Sequence, residues 1–257
     1  MYLQIDSSLL DAARAACVAL PAAGVPARLR ALRGRGWALV APLSIVTVAA
    51  AIAAFSAGAQ VLAWLSLVLV PPGCALALGW AARFARPWLA LLAVPALAVA
   101  LLAADDAAGE LARIVLIAGS CVTVGRLLGG AAPLALVKTG VVAMALIDSI
   151  VIFGHLFDQQ NAQFTGAVPA PGLPELQVAV LGHASTDYGD FFVAGLVGGV
   201  LAAEGRRQLA PAIATFVVAQ AFNQLFLVVD SLPATVPPAL VMLAAEAWRR
   251  GRRRWVA

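Results

Sequence analysis

Residues 133–156 read PLALVKTGVVAMALIDSIVIFGHL. Lys138 and His155 sit towards the two ends, and one carboxylate, Asp148, interrupts an otherwise apolar or small stretch. A helix rises about 1.5 Å per residue, so a run of this length crosses the roughly 30 Å hydrocarbon core of a bilayer. Seven further runs of the same character lie at about 37–56, 60–80, 87–104, 111–131, 175–203, 208–229 and 231–248. In lipid every backbone polar group must be bonded internally. The alternating strands of about ten residues that a barrel would need are missing, so the runs are read as helices. The expected fold is all-α, a polytopic membrane bundle of about eight transmembrane helices.

Composition agrees. The 257 residues are 63% hydrophobic and 12% charged, with mean hydropathy +0.95. Soluble domains run about 45–50% apolar and about 25% charged. Too little polar surface remains to cover a water-exposed fold, which excludes a soluble enzyme or a disordered chain. The net charge of +4 does not indicate nucleic acid, because the basic residues are scattered through short loops and only 7% of residues are aromatic. The lipid bilayer is the implied partner. Cys17, Cys74 and Cys121 form no CxxC pair and are read as small apolar residues packed among helices.

The charges orient the bundle. Arg28, Arg30, Arg33 and Arg35 precede the first run; Arg83 and Arg86 follow the second; Arg126 and Lys138 flank the turn after the fourth. Arg206 and Arg207 follow the sixth, and Arg249, Arg250, Arg252, Arg253 and Arg254 follow the eighth. With eight spans these all fall on one side. The opposite loops carry Asp105, Asp106, Glu110, Asp158, Glu175 and Asp230, with Arg113 the basic exception. The positive-inside bias then puts both termini in the cytoplasm. Residues 1–36 are read as an amphipathic or interfacial helix and a basic cytoplasmic linker, with a degenerate extra span as the alternative, and not a signal peptide, since acidic residues precede the first basic one. Residues 37–132 form an N-terminal four-helix half, 133–248 a second half, and 249–257 a basic tail. The 157–174 loop, polar and then rich in Pro and Gly, is expected to be irregular or partly extended.

Few ionisable groups lie deep in these runs. Asp148 is one and Asp190, in STDYGDFFVAGLVGG, is another. A carboxylate in hydrocarbon costs several kcal/mol unless it is protonated, paired or hydrated, so it marks a functional candidate. With run six entering hydrocarbon near Val180, both carboxylates lie roughly 15 Å from the outer surface. Two close carboxylates share a proton, so that one serves as base and the other as acid on a water between them.

Tyr188-Gly189-Asp190 resembles the Gly-x-Gly-Asp motif of presenilin and signal peptide peptidase, the intramembrane aspartyl proteases. Ile147-Asp148 stands where that family has Tyr-Asp, and Pro238-Ala239-Leu240 matches its Pro-Ala-Leu motif. The three occur in the family's order, each on its own run, over about residues 133–248. The resemblance implies a presenilin-like catalytic half with Asp148 and Asp190 as the catalytic pair. It implies a site shaped by Tyr188, Gly189, Pro238, Ala239 and Leu240, transmembrane peptides as substrates, and no metal or cofactor. Asp187 replaces the family's first glycine and Ile147 its tyrosine. Asp187 is read as a modulator of the pair, with a rival assignment making it the catalytic member. The family has nine spans where eight are counted here. Lys138 is the only lysine, and this arginine-heavy usage points to a bacterial or archaeal cytoplasmic membrane.

Two functions compete. Prepilin peptidases also carry Gly-Asp, but with a lysine two residues later, where this chain has Phe191, Phe192 and Val193. A proton-coupled transporter would also use paired carboxylates, with polar contacts on several spans; Asn223 and Gln224 are the candidates. Three details complete the expectations. The glycines at 195, 198 and 199 give a face for close helix packing. Pro237-Pro238 leaves extended backbone near the pair. Backbone from Gln163 to Val168 pairs with an unwound substrate by strand addition.

Overall fold

The structure, a computed structural model, describes residues 2–26, 29, 31, 33–55, 57–104, 106–229 and 231–256. Arg28, Arg30, Asp105 and Asp230 lie outside the described residues, as do the side chains of Arg252, Arg253 and Arg254. Ten α-helices are described. In chain order they are α1 (Tyr2–Ala19), α2 (Val40–Ala54), α3 (Gly58–Leu76), α4 (Ala93–Leu102), α5 (Ala107–Ala131) and α6 (Leu134–Phe153). After these come α7 (Asp158–Thr165), α8 (Tyr188–Ala203), α9 (Leu209–Asn223) and α10 (Val236–Val256). A two-stranded antiparallel hairpin, β1 (Val178–Leu181) and β2 (Ala184–Asp187), precedes α8.

Each of the eight apolar runs contains a helix. Four are long and apolar enough to cross a membrane: Gly58–Ala81, Ala107–Ala131, Leu134–Phe153 and Leu209–Leu227. Their outward faces are apolar. Leu209, Ile213 and Val217 recur every four residues on α9, and Leu146, Ile150 and Phe153 line one side of α6, all exposed. Water would not tolerate so much contiguous apolar surface; lipid covers it without penalty.

Helix α8 occupies the middle, with every residue from Phe191 to Ala202 buried. It lies against α5 with backbone touching backbone. A Cβ on Gly125 would fall 2.0 Å from the Gly195 carbonyl oxygen, and one on Gly199 would fall 2.0 Å from that of Gly125. Gly129 meets Gly199 in the same way, and Gly198 abuts the Cys17 and Val18 carbonyls of α1. Only glycine permits these approaches, so the close-packing face expected at 195, 198 and 199 is present. The three cysteines are free and buried within these contacts.

Four expectations need correction. First, 175–203 is not one helix. VAVLGHASTD turns at Gly182, whose φ of 54° suits the first central position of a tight hairpin turn, and the helix begins only at Tyr188. Alternation of Val178, Val180 and Ser185, Asp187 across four-residue strands was masked by the surrounding apolar run. Second, α1 is not an interfacial helix. Leu10, Cys17 and Val18 are fully buried in the main core, because its apolar face packs on α5, α8 and α9. Third, α1 runs the depth of the bundle. Asp6 accepts the His183 N–H at 3.1 Å beside the hairpin turn, whereas Pro21 pairs with Ala82 between α3 and α4. The start of α1 and the end of α10 therefore lie at opposite ends of the bundle, not on one side. Fourth, Gln163–Thr165 belong to α7 and offer no strand edge.

The basic residues gather at the Pro21 end. Arg126 donates to the Ala23, Gly24 and Trp80 carbonyls and stacks 4.0 Å over the Trp80 ring. Lys138 binds Glu204 at 2.5 Å and Glu246 at 2.6 Å, and Arg206 and Arg249 bind the same two carboxylates. These groups satisfy one another instead of simply reaching water.

The glycine contact makes a sharp prediction. Gly199→Ala forces α5 and α8 apart and costs about 1–3 kcal/mol, read as a lower thermal midpoint in detergent. Gly36→Ala, where a Cβ meets nothing within 4 Å, leaves the midpoint unchanged. Equal midpoints for both variants would show that the helices do not touch this closely.

Candidate active site

Asp148 lies three-quarters of the way along α6 and lines the same cavity as the first turn of α8. Asp190 is the third residue of α8, so it lies at a helix start and not ten residues inside a span as expected. The hairpin takes up the preceding residues. Both carboxylates line one cavity of about 430 Å³, together with Asp187, Tyr188, Gly189, Thr235 and residues of α2 and α7. The apolar walls come from Ile45, Val48, Ile52, Met144, Val151 and Phe192.

Each carboxylate is held by a threonine. Thr235 Oγ1 donates to Asp148 Oδ2 at 2.6 Å, and Thr186 Oγ1 donates to Asp190 Oδ2 at 2.6 Å. The origin of each threonine differs. Thr235 immediately precedes α10 and reaches across to α6. Thr186 is the buried, inward-facing residue of β2, four residues before Asp190, where the strand hands over to the helix.

Asp187 caps α8. Its carboxylate accepts the Asp190 N–H while the Asp187 N–H donates to Asp190 Oδ2 at 3.2 Å, a reciprocal capping box. The two orphan donors at the start of α8 are thereby satisfied, and Asp187 also faces the cavity. Three carboxylates thus line one cavity. Tyr188 turns the other way: its hydroxyl meets Ser120 Oγ of α5 at 2.9 Å, and its N–H donates to the Gln177 carbonyl at 2.9 Å.

The remaining predicted site residues divide. A Cβ on Gly189 would meet only Met144 Cε, at 3.6 Å. No helix requires glycine there, and its small size leaves room in the cavity wall. Pro238, Ala239 and Leu240 are not in that wall. Ala239 is buried against the core and Leu240 is half exposed. The backbone there is helical, not extended as expected, because α10 begins at Val236 and both prolines fall in its first turn, where a missing N–H is harmless. This turn sets Thr235 against Asp148.

A buried charge pair was missed from sequence. Asp11 and Arg14 on α1 are 0% and 7% exposed and bind each other. Asp11 also accepts from Gln220 Nε2 at 2.6 Å and Asn223 Nδ2 at 2.8 Å, both on α9. Asn223 is therefore a helix-to-helix tie, while Gln224 bonds back to Gln220 of its own helix. The signal was present as an acid and a base three residues apart on one face of an apolar helix. Among the described residues no group of three His, Cys, Asp or Glu side chains is arranged to hold a metal ion. A second groove of about 660 Å³, beside Arg33, Arg35 and residues 129–134, contains no carboxylate.

No protein-family model, curated protein or solved structure matches this chain.

The hairpin that delivers Asp190 is tied at its turn by two carboxylates. Asp6 accepts the His183 N–H, and Glu110 of α5 accepts the Gly182 N–H at 3.1 Å. Asp6→Ala speeds hydrogen exchange at His183 by about fivefold, the equivalent of a ~1 kcal/mol bond. Glu110→Ala does the same at Gly182. Unchanged exchange at both amides would mean that the turn is held by other forces.

Proposed function

We propose that this chain is an intramembrane aspartyl protease that hydrolyses peptide bonds in transmembrane helices or signal-peptide remnants. The observation that carries the reading is the facing of Asp148 and Asp190 across a single cavity, at the start of α8 and within α6, each carboxylate tied down by a threonine hydroxyl. The ordered motifs around Asp148, Asp190 and Pro238-Ala239-Leu240 support it further, since they resemble those of presenilin and signal peptide peptidase.

The chemistry is acid–base work on a water. Asp190 lies in the first turn of a helix, where the N-terminal dipole and the Asp187 N–H favour a negative oxygen; it is the member that takes the water's proton. Asp148 sits mid-helix, where backbone donors are already spent, and is the member that gives a proton to the carbonyl oxygen or leaving amine. The water oxygen bonds to the carbonyl carbon, and the C–N bond breaks as the nitrogen is protonated. A substrate helix must first unwind to expose its amide, and the room beside Gly189 accommodates that backbone.

With α1 added to the eight apolar runs, the segments number nine, as in the family the motifs resemble. On this reading α1 is the first span and its start lies outside the cytoplasm. Every later segment keeps the orientation given by the basic loops, with the α6–α8 connection outside and the C-terminus in the cytoplasm.

A second reading is a proton-coupled transporter. It draws on the buried Asp11, Arg14, Gln220 and Asn223 network, which places polar groups on several helices.

One experiment separates the two. The full chain in liposomes is given a single-span peptide substrate and an aspartyl transition-state analogue. Wild type cleaves and is inhibited. Asp148→Ala and Asp190→Ala fall to background. Asp187→Ala loses a helix cap worth about 1 kcal/mol but still cleaves. Cleavage that survives both of the first two substitutions would remove the dyad. No cleavage by any form, with proton flux that depends on Asp148, would establish the transporter instead.

A further inference from the structure

The groove of about 660 Å³ at the basic end is built from four places in the chain: residues 23–24 after α1, 33–35 before α2, 129–134 where α5 turns into α6, and Ala203 at the end of α8. Its lining is chiefly glycine and alanine, apart from Arg33 and Arg35. Two bonds fix the arginine segment to the end of α5. Arg33 Nε donates to the Gly130 carbonyl at 3.1 Å, and the Gly34 N–H donates to the Ala131 carbonyl at 3.1 Å. The Nη groups of Arg33 and the whole Arg35 guanidinium have no hydrogen-bond or ion-pair partner among the described residues. The cations packed into this end of the bundle are otherwise matched. Lys138, Arg206 and Arg249 pair with Glu204 and Glu246, and Arg126 is spent on carbonyls and Trp80. Arg33 and Arg35 instead present two positive charges to a cavity whose described lining holds no acid.

Arginine binds phosphate oxygens through charge-assisted, often paired, N–H bonds. A free phosphate and a lipid headgroup share that chemistry. Continuity with apolar surface favours the lipid. From Arg35 the chain runs into exposed Trp37 and Leu39 before α2 and Leu43 within it, and from Pro133 into exposed Leu136 on α6. A phosphate on the arginines thus has apolar surface beside it for glycerol and acyl chains. Charge favours an anionic lipid over a zwitterionic one. A choline or ethanolamine ammonium would need an acceptor, whereas the described lining has no carboxylate and its Gly130 and Ala131 carbonyls are already engaged. We propose that this groove binds the phosphodiester of an anionic phospholipid in the leaflet at the basic end, with Arg33 and Arg35 as its ligands. Basic pockets between spans take anionic headgroups in this way. The site lies at the opposite end of α6 from Asp148 and does not depend on the protease reading.

The test is lipid binding by the full chain in neutral detergent. It is titrated with phosphatidylglycerol or with phosphatidylcholine of the same acyl chains, and bound lipid is counted by native mass spectrometry. Wild type retains phosphatidylglycerol in preference to phosphatidylcholine. Arg35→Gln weakens phosphatidylglycerol about fivefold, the usual worth of one basic residue beside anionic lipid, and the Arg33→Gln/Arg35→Gln double variant about 25-fold. Arg35 has no partner among the described residues, so its replacement leaves the fold intact and the thermal midpoint unchanged. Arg86→Gln, at an exposed position of the same end and outside the groove lining, binds as wild type does. Inorganic phosphate does not displace the lipid. Wild type that binds neither lipid, or both alike, overturns the proposal. Equal weakening by Arg35→Gln and Arg86→Gln makes the attraction a diffuse property of the basic surface and overturns the site. Displacement by inorganic phosphate assigns the groove to a soluble anion and overturns the lipid.

Discussion

The backbone contact of α5 with α8 is the constraint on which the rest depends. Gly125, Gly129, Gly195 and Gly199 bring the two helices together with no side chain between them. Lipid offers no hydrophobic force to drive helices together, so association relies on this kind of close dispersion contact. Once α8 is seated, its first turn has a fixed height and rotation. Asp190 then faces α6, and Tyr188 locks onto Ser120 of α5. A wider contact, with alanines in place of these glycines, would move Asp190 away from Asp148 and open the cavity between them.

Charge imposes the second constraint. Three carboxylates in one cavity repel each other, and each must find donors. The structure supplies two threonines and a reciprocal helix cap, while α1 holds the segment before α10 through Arg14 and the Ala234 carbonyl. These come from β2, the segment before α10, the start of α8, and α1. The site is therefore not a property of the α6–α8 pair alone. Helix α1 links it to α9 through Asp11, to the hairpin turn through Asp6, and to the opposite end of the bundle through Pro21. A helix read as peripheral thus braces the elements that carry the pair.

Apolar run length made the helices legible, and small residues at four-residue spacing made the α5–α8 face legible in its α8 half. Asp148 and Asp190 were legible because an ionisable group in an apolar run is rare enough to notice. What could not be read has physical causes. The hairpin strands are only four residues each and β1 is apolar throughout, so their short alternation merges with the apolar run around them. Thr186 and Thr235 matter only through tertiary contact, and nothing in their sequence neighbours marks them. Asp11 and Arg14, with Asp6, break up the apolar residues of 2–19 and make the segment read as amphipathic, and their pairing hides the charge that would otherwise keep them at a surface. Pro238-Ala239-Leu240 was noticed as a motif, yet its neighbour Thr235 makes the contact, while the motif sets the helix start that aims it.

The hairpin poses a last question, since open strand edges are not tolerated in lipid. Irregular backbone at membrane depth survives only where protein or a hydrated cavity surrounds it. Here β1 packs on α5 and β2 on α1, with Val178, Ala179 and Leu181 buried. Gln177, also buried, bonds the Ala167 carbonyl at 2.6 Å and so closes the connection from α7. The strand pair is therefore packed against protein through Val178, Ala179, Leu181 and Thr186, while its turn at Gly182 and His183 is exposed. That arrangement explains why a chain of long apolar helices breaks its pattern at this one place. A continuous helix through 175–203 would bury Asp190 mid-span with its backbone donors spent, whereas the hairpin starts a new helix at Tyr188 and puts the carboxylate where the Asp187 N–H and the Thr186 hydroxyl reach it.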